Sequence, residues 1–401
     1  MIVFNKELLH NTFLVDEASN LKESGFISTD DLNKIKDQYS VVKTNKNILL
    51  RLGFVILGGF LFASIMGVIA FFSLSLDNIL NCYLPILLGL SSVVGICACE
   101  MISKDHYRYG FDDAFIIGTI GCIYGFVFNL ISSVSQANNL DSLDYNNHQI
   151  YLSFTIFLVG LIACLRYCHW FSGLISLVGL LSAFYFFVSG FSFGTKLLPF
   201  LMLIFGLILF YIHSFLSKIN THYFYLNSLW ILKIVSLVVF YLSCNYFIVR
   251  ELSEVLLNVT IPKGRDIPLA LFFWIFTFSV PLFYLYWAII KKDKVFLNIG
   301  FLAFCFAFFS FRTYYSVLPI EIALTLGGIA LFLVTYFCIK KLKNKDFGVT
   351  FKPDRSSNTV DLVNLEALVI NSQVNMNQQI DESPMKFAGG GFSGGGAGDS
   401  F

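Results

Sequence analysis

Ile48-Leu-Leu-Arg-Leu-Gly-Phe-Val-Ile-Leu-Gly-Gly-Phe-Leu-Phe-Ala-Ser-Ile-Met-Gly-Val-Ile-Ala-Phe-Phe-Ser-Leu74 decides what kind of fold this chain can have. Its only charge is Arg51, near the start. Wound as a helix at ~1.5 Å per residue, it crosses the ~30 Å of bilayer hydrocarbon. Nine further apolar runs follow, at 80–101, 111–134, 150–167, 170–191, 196–216, 226–249, 267–290, 295–312 and 318–340. The fourth and ninth of the ten are close to the minimum spanning length. Such runs must be helices, because lipid tolerates no unpaired backbone and a barrel needs alternating strands.

Composition agrees. Hydrophobic residues make up 56% of the 401 and charged residues 13%, about half the ~25% of a soluble domain. Mean hydropathy is +0.73. So little charge could not cover a soluble surface of this apolarity, and the partner it implies is a lipid bilayer. A net charge of +1 supplies no field for nucleic acid. The reading is an all-α polytopic membrane protein of about ten transmembrane helices, residues 48–340, between a small N-terminal αα-hairpin at 1–47 and a disordered tail at 341–401.

Lysine and arginine orient it. Twenty-one of the 27 fall on one side of the alternating runs and five on the other (Lys196, Arg250, Lys263, Arg265, Arg312), with Lys233 inside the seventh run. The basic side is cytoplasmic by the positive-inside rule, and both termini lie on it. The loop at 250–266 argues back, its three basic residues being offset by Glu251, Glu254 and Asp266. It extends the seventh helix until Pro262-Lys-Gly264 breaks it.

Residues 1–47 are polar and hold no signal-peptide core. Leu8, Leu9, Phe13, Leu14, Ala18 and Leu21 fit one helix face, and Gly25 is placed as its C-cap. Ser28-Thr-Asp-Asp31 reads as an N-cap with first-turn acids, opening a second helix with Leu32, Ile35 and Tyr39 on one side. So small a pair buries little core alone, which favours a lid or tether over a docking module for a protein partner. Trp230, Trp274 and Trp287 fall near span ends, as interfacial aromatics do. Gly118, Gly121 and Gly125 cluster in the third run, the last two at GxxxG spacing, and predict close helix contact inside the bundle. Past Lys345 the chain is polar, with an amphipathic patch at Val360–Ile370, and it ends in glycine-dense coil.

The segment Leu21-Lys-Glu-Ser-Gly-Phe-Ile-Ser-Thr-Asp-Asp-Leu-Asn-Lys-Ile35 resembles the opening of bacterial predicted membrane proteins grouped as a domain of unknown function, in which a G-x-I-[ST] link joins two helices ahead of many spans. The closing Gly-Gly-Gly-Phe-Ser-Gly-Gly-Gly-Ala-Gly-Asp-Ser-Phe401 is similar to the Gly-rich, aromatic-ended tails of other bacterial membrane proteins. The resemblance implies a bacterial inner membrane; it brings no activity, cofactor or catalytic residue. The hairpin and the Gly-rich tail are the two places read as docking points for a protein partner.

Chemistry-bearing residues are sparse. The nine cysteines lie in apolar runs or at their edges and read as packing residues; Cys82 and Cys244 share the outer side, and Cys164 and Cys168 share a helix face beside His169, short of a zinc set. Glu100, Asp112 and Asp113 sit at inner span ends beside Lys104, His106 and Arg108, and read as a solvated, mutually paired loop. His213 lies near the inner end of the sixth run, and Lys233 is placed to snorkel to the inner headgroups. No catalytic set, metal centre or cofactor site is expected. In Phe311-Arg-Thr-Tyr-Tyr-Ser-Val-Leu-Pro-Ile-Glu321, Pro319 suits the first turn of the tenth helix. Arg312 and Glu321 then meet at one depth on adjacent antiparallel helices as a staple or a site. The function classes left are a non-enzymatic carrier, a scaffold or sensor, and an intramembrane enzyme for a lipid-linked substrate near the outer face.

Overall fold

The computed structural model describes residues 2–23, 27–45, 47–80, 83–137, 145–191, 193–219, 222–257 and 266–314, with scattered positions between 325 and 340. The chain is an all-α polytopic membrane protein. Its helices are α1 (Lys6–Glu23), α2 (Thr29–Gln38), α3 (Ile48–Leu80), α4 (Tyr83–Ser103), α5 (Phe111–Ala137), α6 (Tyr145–Tyr167), α7 (Trp170–Ser189), α8 (Gly194–Leu216), α9 (Leu226–Cys244), α10 (Tyr246–Leu257), α11 (Ala270–Lys291) and α12 (Lys294–Tyr314). Among the described residues, nine helices (α3 to α9, α11 and α12) are long and apolar enough to cross a membrane. They match the first nine apolar runs; the tenth run, Gly25 and the tail at 341–401 lie outside the described residues, apart from isolated positions of the tenth.

The bundle is built of sequence-adjacent pairs: α4 on α5, α6 on α7, α8 on α9 and α11 on α12, with α3 laid against α4 and α5 and with α7 on α9. One apolar cluster joins Phe62, Cys99, Phe115, Ile120, Ala163 and Tyr167 of α3 to α6. A second joins Leu237, Tyr241, Val280, Tyr284 and Phe296 of α9, α11 and α12. The backbones of α6 and α7 approach closely: a Cβ on Gly160 would stand 2.8 Å from the Ser176 nitrogen, and one on Gly179 would stand 2.6 Å from that of Phe157. Small residues let helices close in where lipid offers no hydrophobic drive, and Ser176 adds a hydrogen bond to the Phe157 carbonyl at 3.0 Å. In the third run the spacing is not the one read from the sequence. Gly118 receives Phe62 and Gly125 receives Leu88, whereas Gly121 faces open space. The helix therefore uses an i, i+7 pair, two full turns apart, and not the GxxxG pair.

The hairpin folds as its caps dictate. Ser28 and Asp31 form a reciprocal capping box at the start of α2, and Leu32 is buried. On α1 the buried positions are Leu9, Thr12, Val15 and Ala18, while Leu14 is 41% exposed, so the inward face is rotated away from Leu14. Phe4, Leu9 and Val42 close around Tyr107, Cys168 and Phe224. Those three belong to the α4–α5, α6–α7 and α8–α9 loops, so the hairpin lies across three helix connections. Backbone bonds fix it there: Val3 N–H to the Arg166 carbonyl at 3.1 Å, Lys43 N–H to Asp105 at 3.1 Å, and Tyr107 N–H to Lys43 at 3.0 Å.

The seventh run, read as one span over 226–249, is two helices. The break is at Asn245, fully buried and extended at φ −78°, ψ 125°. Its Oδ1 accepts from Phe247 N–H at 3.0 Å and caps α10, and its Nδ2 donates to the Tyr241 hydroxyl at 3.0 Å. Thr277 of α11 accepts from Tyr246 N–H at 3.0 Å, and Ser310 of α12 lies 3.2 Å from Asn245 Oδ1. The Asn245 and Thr277 side chains thus take up the N–H groups of Phe247 and Tyr246 that the break releases, and Tyr241 and Ser310 hold the Asn245 amide in place, which is what makes a break tolerable inside a bundle.

Candidate functional site

Polarity gathers at the two ends of the bundle. At the hairpin end, Asp112 and Asp113 open α5. Asp112 holds the preceding loop in place: Oδ2 accepts from Arg108 N–H at 2.7 Å, and Oδ1 accepts from Tyr109 N–H at 3.0 Å and Gly110 N–H at 2.8 Å. Gly110 has φ +118°, and a Cβ there would stand 2.5 Å from the Arg51 carbonyl oxygen, so only glycine lets this loop pass against α3.

Asp113 reaches two other helices. Its Oδ2 accepts from Arg51 of α3, at 2.7 Å from Nε and 2.6 Å from a terminal guanidinium nitrogen. Its Oδ1 is 3.1 Å from His169 Nε2. His169 caps α7: its Nδ1 takes the Ser172 N–H at 3.3 Å and lies 2.7 Å from the Ser172 hydroxyl. A backbone amide can only donate, so Nδ1 presents its lone pair and the ring proton sits on Nε2, facing the carboxylate. Asp112, Asp113 and His169 are 4%, 5% and 5% exposed. The solvated loop expected of these acids is therefore corrected: the carboxylates are buried and served by Arg51, His169 and backbone donors, since the loop folds inward under the hairpin. Lys104 is exposed. Glu100 turns instead to α6, taking Arg166 at 2.8 Å and the Tyr167 hydroxyl at 3.1 Å.

Ser172, His169 and Asp113 thus stand in the order of a nucleophilic triad, a set that the sequence, with the acid and the base 56 positions apart, does not reveal. Its geometry is that of a cap and not of a nucleophile. The hydroxyl is fully buried and sits in the first turn of the helix that its own histidine caps, leaving no approach for a carbonyl carbon. What the arrangement does is clamp α3, α5 and α7 together at one end. The Arg108 guanidinium lies 5.3 Å from the Tyr107 ring centre and meets the Asn227 carboxamide. Burial pushes the Tyr107 phenol above its ordinary range, and burial with Cys164 beside it raises the Cys168 thiol to about 12. Lys233, expected to snorkel, pairs with Asp293 of the α11–α12 turn and stands 5.1 Å from the Phe296 ring.

At the opposite end, Arg250 of α10 is 6% exposed. It donates to the Tyr246 hydroxyl at 3.0 Å, lies 3.6 Å from Glu254, and stands over the Tyr314 ring at 4.7 Å. Tyr246 in turn donates to Asp266 at 2.9 Å and stacks on Trp274, and Tyr314 donates to Glu251 at 3.0 Å. Of the acids noted in the 250–266 loop, Glu254 faces Arg250 directly, while Glu251 and Asp266 accept from the tyrosines around it. Of the pair singled out from the sequence, Arg312 is exposed and Glu321 lies outside the described residues. Among the described residues of that stretch, Tyr314 enters the polar cluster. Cys244 is buried as a free thiol, and Cys82 lies outside the described residues. Cys164 contacts the Ser228 hydroxyl at 3.3 Å, and among the described residues no three of His, Cys, Asp and Glu converge as a metal set.

No family model, curated protein or solved structure is significantly similar to this chain.

Proposed function

We propose that this chain is a non-enzymatic membrane scaffold or sensor of the bacterial inner membrane, with its hairpin and both termini in the cytoplasm. The observation that carries the reading is the hairpin lying across three helix connections, which ties its docking to the relative placement of α4 to α9. The 21-to-5 basic asymmetry supports the orientation. The resemblance of residues 21–35 to the hairpin of uncharacterised bacterial membrane proteins supports the compartment. Photo-crosslinkers at Asp30 and Lys34, both exposed on α2, test it in cells. A single soluble partner, released when Leu9→Asp displaces the hairpin, supports the reading. Absence of any such adduct, with solute flux through proteoliposomes of the purified protein, would overturn it in favour of a carrier.

The carrier reading draws on the break at Asn245, since discontinuous helices line the sites of many transporters. Here α9 alone, at 19 residues, spans the hydrocarbon at ~1.5 Å per residue. The break thus falls near one end of the crossing and not at its middle. For an enzyme on lipid-linked substrates, the Arg250–Tyr246–Asp266 cluster is the counterpart of the expected outer site, yet its groups are spent on one another. The pairing of Arg312 with Glu321 remains part of the proposal: opposite-charge substitution at either position destabilises the protein and the double swap restores part of the loss.

A further inference from the structure

Between α3, α4 and α5, at the hairpin end, runs an open groove of about 450 Å³ lined by Leu61, Met101, Ile102, Asp105, His106, Phe111 and Phe115. Its floor is apolar and its two polar residues stand together at one end, just past the last turn of α4. Leu61 and Met101, which flank it, are 47% and 72% exposed on helices long and apolar enough to span the membrane. The groove therefore opens sideways to lipid, with its polar end at headgroup depth. Lys43 is bridged by backbone to His106 there, and Lys104 adjoins; both lysines are exposed. An apolar trough whose polar end is lined by His106 and Asp105, with exposed Lys43 across the backbone bridge and exposed Lys104 next in the chain, matches a chain with an anionic head. The volume is within the ~300–1,000 Å³ of ordinary ligand pockets, and basic pockets between spans are where anionic lipid heads settle.

We infer that this groove binds one anionic phospholipid of the hairpin-side leaflet, an acyl chain along Leu61, Met101 and Phe115 and the phosphate between Lys43 and Lys104. The site uses Lys43 of the docked hairpin segment but no soluble partner of the hairpin and no part of the Asp113 clamp, so a missing partner and a failure to bind lipid are separate outcomes.

Native mass spectrometry of the full-length protein, released from nanodiscs of phosphatidylglycerol and phosphatidylcholine with matched chains, tests it. Phosphatidylglycerol is expected to stay bound preferentially. Lys43→Gln with Lys104→Gln, both on the surface, is expected to lower that preference by about fivefold per lysine. Met101→Trp, which fills the trough, is expected to release both lipids with the fold intact by circular dichroism. Equal retention of the two lipids by the wild-type protein, or preference unchanged in the lysine double variant, overturns the inference. Full competition by dibutyryl phosphatidylglycerol, which carries the head without a long chain, overturns the acyl-chain part of it.

Discussion

At the scale of single residues, Asp113 holds the most consequential position at the hairpin end. One carboxylate serves an arginine from α3 and a histidine from α7, and removing one partner from a buried pair leaves a charge without compensation. Asp113→Asn is expected to cost about 3 kcal/mol, read as a fall in the thermal midpoint of the detergent-solubilised protein. His169→Ala is expected to cost less, about 1 kcal/mol, because it forfeits a helix cap and not a charge. A larger loss from His169→Ala than from Asp113→Asn would show that the cap, not the ion pair, holds this end. From sequence, Asp112 and Asp113 read as part of a solvated, paired loop and Arg51 only as a charge at the start of the first run, because the pairing of Arg51 with Asp113 spans 62 positions and has no local signature. His169 was read only in connection with two cysteines, since a histidine's role as a cap is set by where the next helix starts.

At the scale of elements, the hairpin is a lid held by packing more than by its own stability. Its N-cap and first-turn acids were legible in Ser28 to Asp31; the return bond that makes Ser28 and Asp31 a capping box is seen in the structure. Which face of α1 turns inward was not, because Leu8, Leu9 and Leu14 are equivalent to any periodicity until a partner surface selects among them. Leu9, fully buried, is the natural lever. Leu9→Asp is expected to undock the hairpin and expose Cys168, whose thiol burial raises to about 12; maleimide labelling at pH 7.5, mapped by peptide mass, is expected to be undetectable there in the wild type and rapid in the variant. Labelling of Cys168 at equal rates in both would remove the lid. On the far side of the same loop, α6 and α7 depend on Gly160. Substituting leucine there places a side chain where the Ser176 nitrogen already stands 2.8 Å from a Cβ, and the expected result is loss of folded protein, whereas Gly121→Leu, facing open space, is expected to be tolerated. Both substitutions add the same bulk, so comparing protein levels separates packing from a general intolerance of glycine replacement.

At the scale of the molecule, reporter fusions test the path of the chain through the bilayer. Fusions after residues 142 and 258 are expected to report outside and a fusion after 345 inside; an external signal at 345 would remove the tenth crossing. Nine of the ten spans were legible from hydropathy, because lipid imposes one local rule, length of apolar helix with its backbone satisfied, that needs no knowledge of neighbours. The same rule is blind within a span. The seventh run is apolar across Asn245, and its division into α9 and α10 depends on Tyr241, Thr277 and Ser310 arriving from the same and other helices to take up its amide and its neighbours' N–H groups. So too with Lys233, whose partner Asp293 stands 60 positions along the chain. What the amino-acid order determined by itself was the class, the nine described crossings and the capped hairpin, all governed by interactions within a few residues or with the solvent. Which glycines touch, where the long helix breaks and which charges are paired were decided only by the tertiary structure, because each is a bond between groups tens of residues apart, whose energy exists only once the helices have packed.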